Sequence, residues 1–167
     1  MDVTVRRVRA DEGPVLKAVR LAALLESPSA FGSTHAAEVA QPDRQWASRA
    51  ALGASGAHSA TYFAVADQSV VGIVAGYRPD PAGSSIELVS MWVSPPHRRA
   101  RIAARLVDAV IGWARETDAK SVELWVTQGN DAAARLYEGL GFRDTGEHQP
   151  LPSDPSKDEL RMRRTLG

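Results

Sequence analysis

The sequence predicts a mixed α/β fold of the α+β kind, in which a mostly antiparallel sheet holds a central β-α-β unit and closes with a hairpin. Three observations predict it. The runs "TYFAVAD" from Thr61, "SVVGIVAGYR" from Ser69 and "SSIELVSMWVS" from Ser84 have strand character and follow one another across polar breaks, as in a meander. The period then changes: Ile102, Leu106, Val110 and Trp113, with Ala103, Val107 and Ile111 beside them, form one broad helical stripe. "SVELWVT" from Ser121 returns to strand, and strand, helix, strand across residues 86–126 implies a right-handed crossover with parallel pairing.

The remaining elements fall in around this frame. "VTVRRVR" from Val3 alternates apolar and polar side chains and opens the sheet. A helix follows from Asp11, its predicted N-cap, with Val15, Val19, Ala22 and Leu25 near one face, and "ESPSAFGST" ends it. A polar helix is expected around Pro42 to Leu52, before the flexible "GASGAHSA". The few polar residues between the first two meander strands favour a hairpin there. "NDAAARLYEGLG" from Asn130 reads as a short helix closed by Gly139 or Gly141. "ELRMRRT" from Glu159 is a last alternating strand, preceded by a loop rich in proline, serine and aspartate from Gln149 to Lys157.

A length of 167 residues suits one domain, residues 1–167, with a substantial core. The 20 basic and 20 acidic residues cancel, so any anion-binding role rests on local clustering, and a nucleic-acid partner is not expected. The absence of cysteine excludes disulfides, thiolate metal sites and cysteine nucleophiles. The four histidines, His35, His58, His97 and His148, are scattered without metal-ligand spacing, and no metal site is expected. No stretch approaches the roughly 20 apolar residues that span a bilayer, and the start has no signal-peptide core. The expectation is a soluble cytoplasmic protein without a membrane partner.

Two motifs carry the chemistry. In "SPPHRRARIAARL", a strand ending at Val93 breaks into the long helix with Arg98, Arg99 and Arg101 crowded at the break. The unpaired amides of a helix start bind phosphate, and three arginines beside them suit a multiply charged anion such as a pyrophosphate. They equally suit a solvated turn whose long side chains bend into water. In "VTQGNDAAARLYEGLGF", Asn130 is a natural N-cap and Tyr137 lies nearly two turns on, so both project from one face about 10 Å apart. By themselves an N-cap asparagine and a half-buried tyrosine are also ordinary structural parts.

In this order and spacing the two motifs resemble the GNAT superfamily of N-acetyltransferases, with residues 61–142 carrying the specific part of the resemblance. "MWVSPPHRRARIAARLVDAV" is similar to the family's strand and pyrophosphate loop, and Arg98 and Ala103 match the ends of its usual pattern. "NDAAARLYEGLGF" matches the second cofactor motif at Asn130, Ala133, Tyr137, Gly141 and Phe142. The chain departs from the family where Arg99 and Arg101 replace the usual loop glycines. If either position needs left-handed geometry, the substitution costs about 1–2 kcal/mol, against about 1.5–3 kcal/mol returned by a charged hydrogen bond to phosphate.

The resemblance implies the GNAT fold with a splayed parallel strand pair, acetyl-CoA as acyl donor, and a small-molecule or peptide amine as acceptor. It leaves a homodimer open as an assembly. Met91, Trp92 and Val93 would hold the pantetheine arm and thioester through their backbone. The loop from Arg98 through Arg99, Ala100, Arg101 and Ile102 to Ala103 would hold the pyrophosphate, with Asn130 and Tyr137 on the other side of the cofactor. Tyr137 would protonate the leaving thiolate. Glu87, whose parity differs from that of apolar Leu88, is the chosen base, although a glutamate on a solvated sheet face or a proton relay through water fits the same residues. "FGST", Phe31 to Thr34, and Trp46 would lie near the acceptor pocket. Two other readings stay open: a catalytically degenerate GNAT-fold protein that binds acyl-CoA or serves as an interaction module, and a nucleic-acid-binding domain built on the arginine turn, for which stacking aromatics are few.

Overall fold

A computed structural model describes residues 2–98 and 100–167. One seven-stranded sheet takes in β1 (Val3–Arg7), β2 (Ser59–Ala66), β3 (Ser69–Tyr77), β4 (Ser85–Val93), β5 (Ser121–Thr127), β6 (Arg143–Leu151) and β7 (Asp154–Thr165), in the order β1-β2-β3-β4-β5-β7-β6. Every neighbouring pair is antiparallel except β4 and β5, which run parallel. The helices are α1 (Gly13–Glu26), α2 (His35–Val39), α3 (Asp43–Ser55), α4 (Ile102–Glu116) and α5 (Asp131–Gly139). The predicted architecture is therefore observed, with the crossover from β4 to β5 made by α4.

The core forms in two layers. On one face, Leu106, Val107, Val110, Ile111 and Trp113 of α4 pack on Ile86, Leu88, Val122, Leu124 and Met162, joined by Tyr137 and Phe142 from the α5 region. The helical stripe read from the sequence is the buried face of α4. Contact is close at Gly76 of β3, where an added Cβ would stand 2.8 Å from a methyl of Val110. On the other face, α1 and α3 bring Leu16, Val19, Leu24, Trp46 and Ala50 against Phe63, Ile73 and Trp92.

Four sequence expectations are corrected. Helix α1 starts at Gly13 with Pro14 in its first turn, and Asp11 lies outside it in a turn. Its buried stripe is Leu16, Val19, Arg20, Ala23 and Leu24, while Leu25 is 66% exposed. The two candidate stripes differ by one helical position, and a buried arginine masks the true one. The short helix α2 lies between the two expected helices, in a segment given no element from the sequence. The loop expected at residues 149–157 is mostly strand: β6 and β7 meet across Pro152 and Ser153 alone. Strand β6 is almost wholly exposed and polar, so no alternation marks it.

One irregularity sets the geometry of the site. Along β3 and β4 the register passes from Ala75↔Val89 to Ile73↔Trp92, so β4 carries one residue more than its partner, and Ser90 within this β-bulge has φ 62. The extra residue inverts the strand's parity: Leu88 belongs to the α4 layer and Trp92 to the α1 layer. On its other edge β4 pairs with β5 only at Ser85↔Ser121, Ile86↔Val122 and Glu87↔Glu123. Beyond Glu87 the two strands part.

Candidate active site

Two cavities meet where β4 and β5 separate. The larger, about 840 Å³, is a groove between the end of β4 and the starts of α4 and α5. It is lined by Met91, Trp92, Val93, Arg98, Arg101, Ile102, Ala103 and Asn130, which the sequence had placed in one site. Ala100 is exposed and does not line it, and the expectation for Arg99 lies outside the described residues. The smaller cavity, about 540 Å³, is lined from both layers, by Arg20 and Arg49 of α1 and α3 and by Leu88 and Tyr137 of the α4 layer, and Glu87 also lines it. Met91, Asn130, Ala133 and Leu136 line both.

The start of α4 opens on the larger groove. Arg101 precedes it with φ 61 and ψ 16, in the left-handed region that glycine usually fills, and its side chain makes no capping bond to the helix. The first-turn amides of Ile102, Ala103 and Ala104 thus open on the groove. Arg98 does not stand free beside them: its Nε donates to the Val93 carbonyl at 2.9 Å, and Nη2 donates to Glu26 at the end of α1. Glu26 also accepts from Ser27 Oγ at 2.5 Å and Trp92 Nε1 at 3.0 Å; these two bonds and that from Arg98 hold its carboxyl down at about 2. Across the groove, Asn130 Oδ1 accepts from the Ala133 amide at 3.3 Å and caps α5.

In the smaller cavity, Tyr137 is 6% exposed and edge-on to Phe142, ring centres 5.7 Å apart. Burial pushes its phenol well above the ordinary range, which favours the neutral form. Glu87 sits directly opposite Tyr77 on β3 and Glu123 on β5, which places all three on one sheet face. Arg161 donates to both Glu87 oxygens, at 2.5 and 2.7 Å, and lies over the Trp125 ring at 4.9 Å. Burial raises the Glu87 carboxyl against the pull of Arg161. Glu87 is thus a buried, paired carboxylate, not a glutamate on a solvated face.

The sequence reading missed the other charged residues of this cavity. Arg20 of α1 forks onto Glu38, with Nε at 3.0 Å and Nη2 at 2.8 Å from its oxygens, and its Nη1 donates to Ser90 Oγ at 3.3 Å, which ties the bulge to α1. Burial works to raise the Glu38 carboxyl, but hydrogen bonds and charge from Arg20, then Arg49, hold it below the usual range. Phe31, Gly32 and Ser33 line the cavity, while Trp46 lies buried behind Arg49, whose guanidinium is 4.5 Å from the ring. A charged residue inside an apolar helical stripe was the available signal for Arg20, and the shared parity of Glu159, Arg161 and Arg163 was the signal for the β7 row.

The family model described as "Acetyltransferase (GNAT) family" matches residues 21–142, most of the chain and all of this site's groove. The chain belongs to the GNAT family. Among curated relatives, the GNAT chain is 35% identical to N-acetyltransferase 8F1 of Rattus norvegicus over 94 residues, 54% of this chain and 42% of that protein, so it spans less than half that relative's length. Among solved structures, the acetyltransferase of GNAT family from Streptococcus pneumoniae superposes with a TM-score of 0.81 at 18% identity, covering 99% of this chain and 100% of that one. PaiA N-acetyltransferase from Thermoplasma acidophilum, solved in complex with coenzyme A, gives 0.77 at 15% identity over 99% of this chain and 100% of that one. At such identities the likeness is one of fold. Among the described residues no group of three or more histidine, cysteine or acidic side chains could hold a metal, and no helix is long and apolar enough to cross a membrane.

Proposed function

We propose that residues 1–167 act as one domain that transfers an acetyl group from acetyl-CoA to a primary amine by direct attack. One observation carries the reading: two cavities join at the parted ends of β4 and β5, one running to an uncapped helix start, the other holding a buried tyrosine and carboxylate. The uncapped amides of α4, with Arg98 and Arg101, suit a pyrophosphate. The backbone from Met91 toward Val93, where β5 no longer pairs with β4, suits a pantetheine arm. When bound, acetyl-CoA supplies the activated thioester.

The residues then divide the remaining work. An attacking amine must be neutral, the carbonyl oxygen must be stabilised and the sulfur must leave protonated. Tyr137, kept protonated by burial, donates to the departing sulfur. Glu87 accepts the proton of the amine, directly or through water, and burial moves its carboxyl toward a range useful for a base. The curated relative named an N-acetyltransferase and the neighbour solved with coenzyme A support this reading. The cysteine-free composition is compatible with a cytoplasmic setting.

Thiol release from acetyl-CoA across a panel of amines tests the proposal, together with thermal shift in coenzyme A and in an oligonucleotide. Coenzyme A at 100 times its dissociation constant adds about 2.7 kcal/mol of stability, and the oligonucleotide should add none. Coenzyme A binding without turnover of any amine would leave a binding module in place of an enzyme.

A further inference from the structure

The smaller cavity has two charged walls of opposite sign. On the α1 and α3 side, Arg20 and Arg49 face Glu38 alone, two cations against one carboxylate. The guanidinium of Arg20 is held at all three nitrogens, since Nε and Nη2 bond Glu38 and Nη1 bonds Ser90. Arg49 is not: Nη1 donates to Glu38 at 3.1 Å and to Gln41 at 3.4 Å, and among the described residues Nε and Nη2 have no partner. The Trp46 ring fixes its plane, its side chain is 34% exposed, and it lines the cavity. It is a pre-oriented fork with a free edge.

On the β7 side the balance reverses. Glu87 and Glu159 line the cavity, while Glu123, Arg161 and Arg163, which pair with Glu87 and with one another, do not. Arg161 covers both oxygens of Glu87, and Arg161 and Arg163 cover those of Glu123. Glu159 receives only the amide of Gln149, at 2.7 Å on Oε1, and among the described residues Oε2 has no partner. The residue is 7% exposed and lines the cavity. That oxygen is open to the cavity, where a donor can reach it.

We infer that the acceptor is an amino acid held by both ends: Arg49 takes its carboxylate, and the free oxygen of Glu159 takes its amino group before that group is deprotonated for attack. The inference rests on the acetyl-transfer reading and names the acceptor class for it. A plain amine fills one wall and leaves Arg49 unused. A dicarboxylate without an amine leaves Glu159 bare.

The test compares the twenty amino acids, β-alanine and γ-aminobutyrate, each beside its carboxamide and its decarboxylated amine. Binding is followed by thermal shift in saturating coenzyme A, and turnover by thiol release from acetyl-CoA. At least one amino acid should shift the midpoint and be turned over with kcat/KM ten- to a hundredfold above its amide and amine. Arg49→Gln should level that ratio and Arg49→Lys should restore part of it; Arg20 still pairs Glu38 in both variants, so the fold is kept. Glu159→Gln should raise KM for the amino acid more than tenfold with coenzyme A affinity unchanged. Amides or amines used as well as amino acids, a ratio unmoved by Arg49→Gln, or no amino acid bound would overturn the assignment. Turnover of a plain amine in that case would leave acetyl transfer standing. Amino acid binding with no thiol release from any acceptor would instead overturn acetyl transfer and keep the pocket.

Discussion

Arg98 donates to Glu26, and this pair ties the turn before α4 to the end of α1 across the mouth of the larger groove. A carboxylate therefore holds the arginine that the family pattern assigns to phosphate. Both side chains are partly solvated, so the pair is worth little by itself and exchanges readily for a stronger anion.

Glu26→Gln should release Arg98 and remove a negative charge from the groove. Coenzyme A is expected to bind about two- to fivefold tighter in that variant at low ionic strength, the range of an exposed pair. Isothermal titration at low and moderate salt reads this. Equal affinity in both proteins would mean that the phosphates do not meet Arg98.

Arg101 sets backbone strain against charge. Glycine at φ 61 removes the left-handed penalty, so Arg101→Gly should raise the thermal midpoint by about 2–4 °C for roughly 1 kcal/mol relieved. The same change removes a cation beside the uncapped amides of α4. Coenzyme A affinity should fall about tenfold and depend less steeply on salt. Tighter binding by the glycine variant would show that the arginine obstructs the groove.

Tyr137→Phe keeps the ring against Phe142 and deletes only the hydroxyl. Turnover of acetyl transfer should drop by roughly 10²–10⁴-fold with coenzyme A binding nearly unchanged. Normal turnover in stopped-time thiol assays would take the phenol out of the mechanism.

The Glu87 carboxyl is raised by burial, which fixes the sign of its pH effects. As a base it works once ionised, so the acid limb of kcat/KM should lie above 4.5, the ordinary glutamate value, and activity should fall as pH drops through it. The same raised value favours the protonated form in the folded state, so this residue's contribution to stability declines as pH rises above 4.5 toward the folded value. Glu87→Gln should remove the limb and depress the rate most near neutral pH, where the free amine is scarce. A profile of unchanged shape and height would put the base elsewhere.

The readable parts of the molecule were those with one dominant period. The α4 stripe, the β2–β3 hairpin and the parallel β4–β5 step follow from apolar spacing and connection length. The hairpin turn at Asp67 and Gln68, both at positive φ, is the tight form that a two-residue connection selects. Strand β6 stayed hidden because its residues face water on both sides, and α1 was turned by one position because Arg20 sits where an apolar residue was expected. Most of the groove was legible because it lies in two contiguous motifs. The second cavity draws on α1, α3, β4 and β7, and only the tertiary fold brings Arg49 to the cavity that Glu159 lines.

The sheet is two leaves bound along a spine of three ladder pairs, Ser85 to Glu87 against Ser121 to Glu123. Below the spine the leaves are held; above it α4, α5 and the loop after α1 bridge them, with the Arg161–Glu87 fork at its upper end. A molecule lodged in the groove touches Met91 on one leaf and Asn130, just past the end of the other, and so acts as a clasp at the open edge. Its signature is remote: amides of β6 and β7, which do not line the groove, should exchange with solvent deuterium more slowly once it is filled, because their leaf has lost its freedom to part from its neighbour.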